Sequence, residues 1–303
     1  MARPLRIIEP HRLYFVTNRT QQGRLLLTPS PQINDLIGGV LTRALNLFDV
    51  EIFAFVFLSN HFHLIVRAAE GQLAPFMSHL QGNIAREVGR LIDWRGAFWE
   101  RRYSAEPILD DKSFVERLGY LLSNGVKEGL VNKARQWPGM SSLPELTQGV
   151  RREFTWLNRT ELWRRRQRDP KTSESSCSER YPLQVAVAPC WRGLSAAARQ
   201  ERVLSLVREH EASARAQRGC RPVAGSEAVK RQRPHHRPRR LKCSRRPMCH
   251  AATRAARQEY RRQYQEVLAA YRESSNRFRD GDYAVEFPRY CYRPPLPYRT
   301  AAA

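Results

Sequence analysis

The feature of this sequence that most constrains its fold is a pair of strand-forming segments separated by only two residues. Residues 51–58 are rich in aromatic and β-branched side chains, which favour strands. Ser59 and Asn60 leave room only for a tight turn, so residues 61–67 are expected to form the antiparallel partner strand. The chain is therefore predicted to build a sheet on this hairpin.

Hydrophobic periodicity predicts the elements that surround the hairpin. Apolar residues recur at helical spacing over residues 33–48, 72–91 and 112–124. Strand-forming residues occupy 14–17, and a short extended segment ends at residue 108. The order strand, helix, hairpin, helix, strand, helix predicts an α+β fold, in which a small antiparallel sheet carries flanking helices.

The charge of the chain is concentrated in its second half. The 303 residues carry a formal net charge of +23. Residues 1–150 contain 17 Lys and Arg against 14 Asp and Glu, whereas residues 151–303 contain 35 against 15. We therefore predict a globular domain over residues 1–148 and a basic, Arg-rich C-terminal extension over residues 149–303, mostly helical with disordered linkers.

This extension is expected to contain helices over residues 152–166, 196–218 and 252–278, with irregular segments over 171–177 and 220–248. A polycation of this size indicates a nucleic-acid partner, although a solvated tail without a specific partner is the alternative. No apolar segment approaches the length of a membrane helix and no secretory signal begins the chain. We therefore expect a cytoplasmic, nucleoid-associated protein with no membrane partner.

Two histidines on the second hairpin strand are candidate metal ligands. His61 and His63 alternate with Phe62 and Leu64, and alternate side chains of a strand share one face. Two neutral imidazoles side by side form half of a metal site. The alternative is a pair of histidines on an exposed sheet face.

A second candidate group lies on the predicted helix over residues 112–124. Tyr120 and Asn124 are four residues apart and share a helix face, so a phenol and an amide oxygen are offered in one patch. Gly119 removes side-chain bulk beside the tyrosine, so a large group could approach it. The alternative is that Tyr120 is a half-buried packing residue.

Four segments in this order together resemble the single-tyrosine transposases that carry a His-hydrophobic-His (HUH) strand. The segments are Phe57–Val66, Gly96–Tyr103, Gly119–Val131 and Trp137–Ser142. Within that family, the Tyr…Asn form resembles the REP-associated tyrosine transposases most, over about residues 10–143. Three positions depart from the family pattern: Leu58-Ser59 replaces Met-Pro, Gly125 replaces Pro and Met140 replaces Trp.

The resemblance implies a ferredoxin-like HUH catalytic domain and a set of residue roles. His61, His63 and Asn124 would ligate Mg2+ or Mn2+, and Tyr120 would attack the scissile phosphate to form a 5′-phosphotyrosyl intermediate. The reaction would be cleavage and rejoining of single-stranded or hairpin-flanked DNA. No nucleotide cofactor is expected, in agreement with the absence of a phosphate-binding Gly-x-x-x-x-Gly-Lys motif.

Residues near the predicted site are candidate DNA contacts. Basic side chains could follow the phosphates and aromatic rings could stack on unpaired bases. These candidates are Arg67, Arg86, Arg90, Arg101, Arg102, Trp99 and Tyr103. Alternatively, Trp99 belongs to the core between helix and sheet.

Two rival functions remain open at this level. One is a catalytically inactive DNA-binding regulator with the same fold, and the other is a metal phosphodiesterase that uses water in place of Tyr120. A covalent protein–DNA adduct would separate both from the transposase. The sequence leaves the choice between monomer and homodimer open.

Overall fold

The structure is a computed structural model that describes residues 4–238 and 247–297. The front half contains four strands and five helices. In chain order they are β1 (Leu13–Arg19), α1 (Pro31–Leu47), β2 (Val50–Leu58), β3 (His61–Ala68), α2 (Leu73–Leu91), β4 (Ser104–Ile108), α3 (Asp111–Leu122), α4 (Asn124–Lys127) and α5 (Leu143–Gln148). The back half adds β5 (Glu153–Leu157), α6 (Arg159–Arg166), β6 (Ser178–Pro182), α7 (Ala196–Arg218), α8 (Ser226–Lys230) and α9 (Arg254–Arg279).

The first four strands form one antiparallel sheet in the order β2-β3-β1-β4. The hairpin register pairs Leu58 with His61 and Val56 with His63. On the other side of β3, His63 lies opposite Thr17 of β1. The small antiparallel sheet with flanking helices confirms the predicted α+β class.

Helices cover both faces of this sheet. One face carries Phe62, Leu64 and Val66 and packs against α1 and α2 in a core of buried apolar residues. The opposite face carries Phe15 and Ile65 and packs against α3 and α7 in a second core. Because side chains alternate along β3, His61 and His63 lie on the α3 side.

The extension contributes directly to both cores. Phe154 and Leu183 belong to the core on the α1 side. Trp191, Val203 and Val207 belong to the core on the α3 side, each at most 7% exposed. Residues after 148 therefore bury apolar surface of the front half, and the boundary at residue 148 stays a prediction.

The predicted helix over residues 152–166 is wrong in its first half. Residues 153–157 form strand β5, which pairs with β6 in a two-stranded sheet, and helix α6 begins only at Arg159. The cause is tertiary, because Gly38 and Gly39 of α1 leave space for Phe154 and for the backbone of Thr155. The helix then begins where the Asn158 side chain accepts a hydrogen bond from the Glu161 backbone N–H.

The remaining extension predictions meet mixed outcomes. The helices predicted over residues 196–218 and 252–278 are present as α7 and α9. Two segments are predicted to be irregular. The first, residues 171–177, ends in a 3-10 turn over residues 175–177, and the second, residues 220–248, includes helix α8. Residues 239–246 of that second segment lie outside the described residues. None of the helices in the described residues is both long enough and apolar enough to cross a bilayer.

Candidate active site

The two histidines lie at the start of β3, beside the hairpin turn. The Asn60 side chain fixes His61, since its Oδ1 lies 2.7 Å from His61 Nδ1. Asn60 itself is held by Nδ2, which donates to the Gly23 carbonyl at 3.1 Å. An amide oxygen accepts, so this contact favours the tautomer of His61 with its proton on Nδ1.

His63 lies deeper than His61, with only 7% of its surface exposed. Its ring stacks on Phe15 at a centroid distance of 5.0 Å, and the His61 ring lies 5.0 Å away edge-on. Strand pairing and ring packing therefore place the two imidazoles side by side on one face, as the alternation predicts.

Tyr120 of α3 lies against this histidine face. Its ring centroid is 5.7 Å from that of His63 and 6.1 Å from that of Phe15. Two cations flank the same ring: Lys127 Nζ is 4.0 Å and Arg117 Cζ is 4.9 Å from its centroid. A half-buried phenol is thus surrounded by imidazole and positive charge, which favours binding of a phosphate beside it.

The side-chain amide of Asn124 is buried, and its polar atoms lack hydrogen bonds within the described residues. Only 1% of the residue is exposed, and within the described residues neither Oδ1 nor Nδ2 has a hydrogen-bond partner. Leaving a buried amide unsatisfied costs on the order of 1–3 kcal/mol. Such a residue suits a position that a ligand completes, since an amide oxygen is a favourable ligand for Mg2+ or Mn2+.

The helix that carries these residues is interrupted between them. Helix α3 ends at Leu122, and α4 begins at Asn124, rather than one helix extending to residue 124. Ser123 between them has φ −95° and ψ 8°, and its Oγ donates to the Gly119 carbonyl at 2.7 Å. A serine hydroxyl that bonds a carbonyl one turn back bends a helix, so Tyr120 and Asn124 do not share one continuous helix.

Helix α7 of the extension braces the tyrosine helix. A Cβ placed on Gly119 would overlap the His210 ring and lie 2.9 Å from Leu206 Cγ. The absence of a side chain at Gly119 therefore allows α7 to pack closely against α3. Burial lowers the pKa of His210, which favours a neutral ring between Gly119 and Glu116.

A buried carboxylate–imidazole pair lies on the same sheet face. His250 Nε2 is 3.0 Å from Glu106 Oε2, and the His250 ring lies edge-on to Phe15 at 5.4 Å. Backbone bonds dock His250 beside β4, where its N–H donates to the Pro107 carbonyl. These two residues are 144 positions apart, so no sequence signal could have paired them. Arg117, by contrast, could have been found from its helical spacing to Tyr120, whereas Lys127 lies beyond the helix break.

The predicted DNA-contacting arginines divide into paired and exposed side chains. Arg67 is paired with Glu51, Arg90 with Glu87 at 3.0 Å and Arg101 with Glu100 at 3.8 Å. The exposed members of the set are Arg86, Arg90, Arg101 and Arg102. Phosphate contact by these side chains stays a prediction.

The two predicted aromatic contacts are packed in this structure. Trp99 packs edge-on against Phe62, and its indole N–H donates to the Gln81 carbonyl at 2.9 Å. Tyr103 is 8% exposed and lies beneath the Arg6 guanidinium, 3.8 Å from the ring centroid. Burial also raises the pKa of Tyr103. The Tyr103 ring is therefore mostly covered, whereas Trp99 is only partly buried, and base stacking by either ring stays a prediction.

The described residues contain no group of three or more His, Cys, Asp or Glu side chains able to hold a metal ion. The two imidazoles of His61 and His63 would therefore need a further oxygen ligand, and Asn124 is the candidate that the sequence indicates. The contacts described above bring His61, His63 and Tyr120 together. They do not include a contact between Asn124 and either histidine.

Comparison with known proteins finds similarity to a curated protein and to solved structures. No protein-family model matches the chain. A candidate REP-associated tyrosine transposase of Haemophilus influenzae is 26% identical over 102 residues, which are 30% of this chain and 58% of the relative. The chain therefore spans less than two thirds of the curated relative that it matches.

Among solved structures, a REP-associated tyrosine transposase bound to a REP hairpin has a TM-score of 0.43 at 20% identity. That match covers 49% of this chain and 86% of the other. A candidate transposase from Deinococcus radiodurans has a TM-score of 0.29 at 18% identity, covering 40% of this chain and 95% of the other. At these TM-scores neither likeness supports a functional conclusion. The curated relative confirms what the four motifs predict: this chain is similar in sequence to the REP-associated tyrosine transposases.

Proposed function

We propose that this protein is a transposase that cuts and rejoins single-stranded DNA, with Tyr120 as the nucleophile. The observation that carries the proposal is the contact of the Tyr120 ring with His63, under flanking positive charge from Lys127 and Arg117. A packing tyrosine would need neither the imidazole pair nor the two cations. The sequence similarity to REP-associated tyrosine transposases supports the same assignment.

We further propose that His61, His63 and Asn124 hold a divalent cation, Mg2+ or Mn2+. Asn60 orients His61 for this role, since its Oδ1 lies 2.7 Å from His61 Nδ1. Asn124 offers a buried amide oxygen with no partner among the described residues. When bound, such a cation polarises the scissile phosphate and offsets the charge of the transition state.

The chain's own residues carry the covalent step. The Tyr120 hydroxyl oxygen forms a bond to phosphorus as the bond to the 3′ oxygen breaks. The phenol proton is released to solvent, and the departing oxygen takes a proton to become a 3′-OH. Lys127 and Arg117 neutralise phosphate charge beside the tyrosine. The 3′-OH of another strand can reverse the step, so rejoining needs no nucleotide cofactor.

The proposed substrate is single-stranded DNA, next to a hairpin. The proposal follows from the sequence similarity to a REP-associated tyrosine transposase, and the +23 net charge of this chain favours a polyanion. Exposed Arg86 and Arg102 are available to contact its phosphates.

Covalent trapping tests the nucleophile. The full chain is incubated with Mn2+ and a hairpin oligonucleotide that has single-stranded flanks and a label at its 3′ end, then resolved on a denaturing gel. We expect a labelled protein band that disappears with EDTA and with Tyr120→Phe, which removes only the hydroxyl. The matched control is Tyr292→Phe, an exposed tyrosine whose loss should leave the band unchanged.

The rival functions give other results. Cutting by Tyr120→Phe at the wild-type rate would assign the nucleophile to water and make the protein a metal phosphodiesterase. DNA binding with neither cutting nor an adduct would indicate a regulator.

Metal binding has a readout apart from activity. A ligand that binds only the native state stabilises it, by about 2.7 kcal/mol at 100 times its Kd. Saturating Mn2+ should therefore raise the Tm of the wild type and much less that of His63→Ala. An equal increase in both proteins would remove His63 from the site.

A further inference from the structure

Helix α6 in the extension presents an exposed tryptophan among arginines. Trp163 is 64% exposed, although its neighbour Leu162 is buried. Arg159 precedes it by four residues and Arg166 follows it by three, so both lie on the same helix face. A large aromatic ring that is exposed to this extent contributes little to packing, because it leaves apolar surface in water.

The helix that carries Trp163 is held in place at both ends. Asn158 caps its N-terminus by accepting a hydrogen bond from the Glu161 N–H at 3.0 Å. Arg159 donates to Glu87 of α2, whose carboxylate is almost completely buried. Near the C-terminus, Arg166 Nε donates to the Thr172 carbonyl at 3.1 Å. The tryptophan is therefore presented by an anchored element rather than by a loose end.

The positive charge of this helix is only partly compensated. Its only acidic residue, Glu161, is paired with Arg165 at 2.8 Å. Arg164 and the following Arg168 are exposed and have no ion-pair partner within residues 4–238 and 247–297. Several adjacent positive charges without counter-charges favour a polyanion.

This surface continues onto α2. Glu87 joins the two helices, because it pairs with Arg159 of α6 and with Arg90 of α2. Arg86, one turn earlier on α2, is exposed as well. A row of guanidinium groups thus extends from α2 to α6, on the side of the sheet opposite α3.

We propose that α6 is a second contact site for single-stranded DNA, which rests on the proposed function and adds to it. The Trp163 ring stacks on an unpaired base, while Arg164 and Arg168 contact the adjoining phosphates. Stacking on an aromatic ring and charge along the backbone are the two features that sequence-tolerant single-strand binding requires. A strand held here is distant from Tyr120, so the site contributes affinity and leaves the chemistry to α3.

The test uses fluorescence anisotropy with a labelled oligonucleotide of about 12 thymidines, within the range that single-strand sites occupy. All variants carry Tyr120→Phe, so that the DNA is not cut. Trp163→Ala should weaken binding about 5- to 140-fold, the effect of losing one stacked base. Trp163→Phe should restore most of the affinity, since it keeps an aromatic face.

Salt dependence separates stacking from charge. Trp163→Ala should leave the slope of log K against log salt unchanged. Replacing Arg164 and Arg168 by Gln together should lower that slope by about 1.4, at about 0.7 for each phosphate contact with a single strand. The controls are Tyr292→Ala, an aromatic residue with similar exposure of 66%, and Arg272→Gln, an exposed arginine of α9.

An equal loss of DNA affinity in Trp163→Ala and Tyr292→Ala would overturn the inference. A change in oligomeric state caused by Trp163→Ala would overturn it as well. If Trp163→Ala binds normally while the wild type forms the covalent adduct, this inference fails and the proposed function stands. If Trp163→Ala loses binding but no adduct ever forms, the α6 site stands and the proposed chemistry fails. Failure of the wild type to bind any DNA would refute both.

Discussion

Replacing Asn124 by leucine should stabilise this protein, which is the reverse of what a buried hydrogen-bonded asparagine would show. Asn124 is 1% exposed, and neither atom of its amide has a hydrogen-bond partner among the described residues. Leucine has the same number and branching of side-chain heavy atoms. Asn124→Leu therefore removes a buried amide that makes no hydrogen bond among the described residues, and the only unfavourable effect expected is a small change in side-chain packing. We expect the free energy of unfolding to rise by about 1–3 kcal/mol.

The chain offers a matched control in Asn18. It is 0% exposed, but its Nδ2 donates to the Arg101 carbonyl and its Oδ1 accepts from the Arg19 N–H, both at 2.9 Å. The same substitution there breaks two hydrogen bonds, so Asn18→Leu should lower the free energy of unfolding by about 1–3 kcal/mol. The two variants are thus predicted to differ in sign.

Urea unfolding in EDTA measures both variants, because the shift in midpoint at constant slope gives the change in stability. Repeating the titration in Mn2+ should stabilise the wild type and not Asn124→Leu, since the leucine offers no oxygen. Destabilisation of Asn124→Leu comparable to that of Asn18→Leu would refute the reasoning. It would mean that the Asn124 amide is bonded in the native protein and is not kept for a ligand.

Two glycine substitutions test the packing of the extension on the front half. Gly39→Ala should destabilise the protein by about 1–3 kcal/mol, because its Cβ would overlap the carbonyl oxygen of Thr155. Gly82→Ala, on an open helix face with no atom within 4 Å of the added Cβ, should instead stabilise it by about 0.5–1 kcal/mol. In the same urea assay, equal effects of the two would mean that β5 is not packed on α1. Gly119→Ala should be destabilising and should slow adduct formation, and His210→Ala should relieve much of both effects. If Gly119→Ala loses the same stability and the same rate of adduct formation with His210 as with His210→Ala, α7 does not brace the tyrosine helix.

Local periodicity determined much of the front half of the fold. The two-residue turn at Ser59 and Asn60 fixed the β2–β3 hairpin, and alternation along β3 placed His61 and His63 on one face. Helical periodicity located α1, α2 and α3 to within a few residues. These features depend on residues close in the chain, so the sequence contains the information that specifies them.

The tertiary structure determined which elements pack against each other. Packing brought α3 onto the histidine face, buried Asn124 at a helix break and made residues 153–157 a strand, because two glycines of α1 admit it. It also joined Glu106 to a histidine 144 positions away. Such contacts are selected by shape and charge between distant segments, which no local pattern encodes. The sequence by itself therefore determined the chemical groups of the candidate site, and only the packing of α3 and the extension determined how they are brought together.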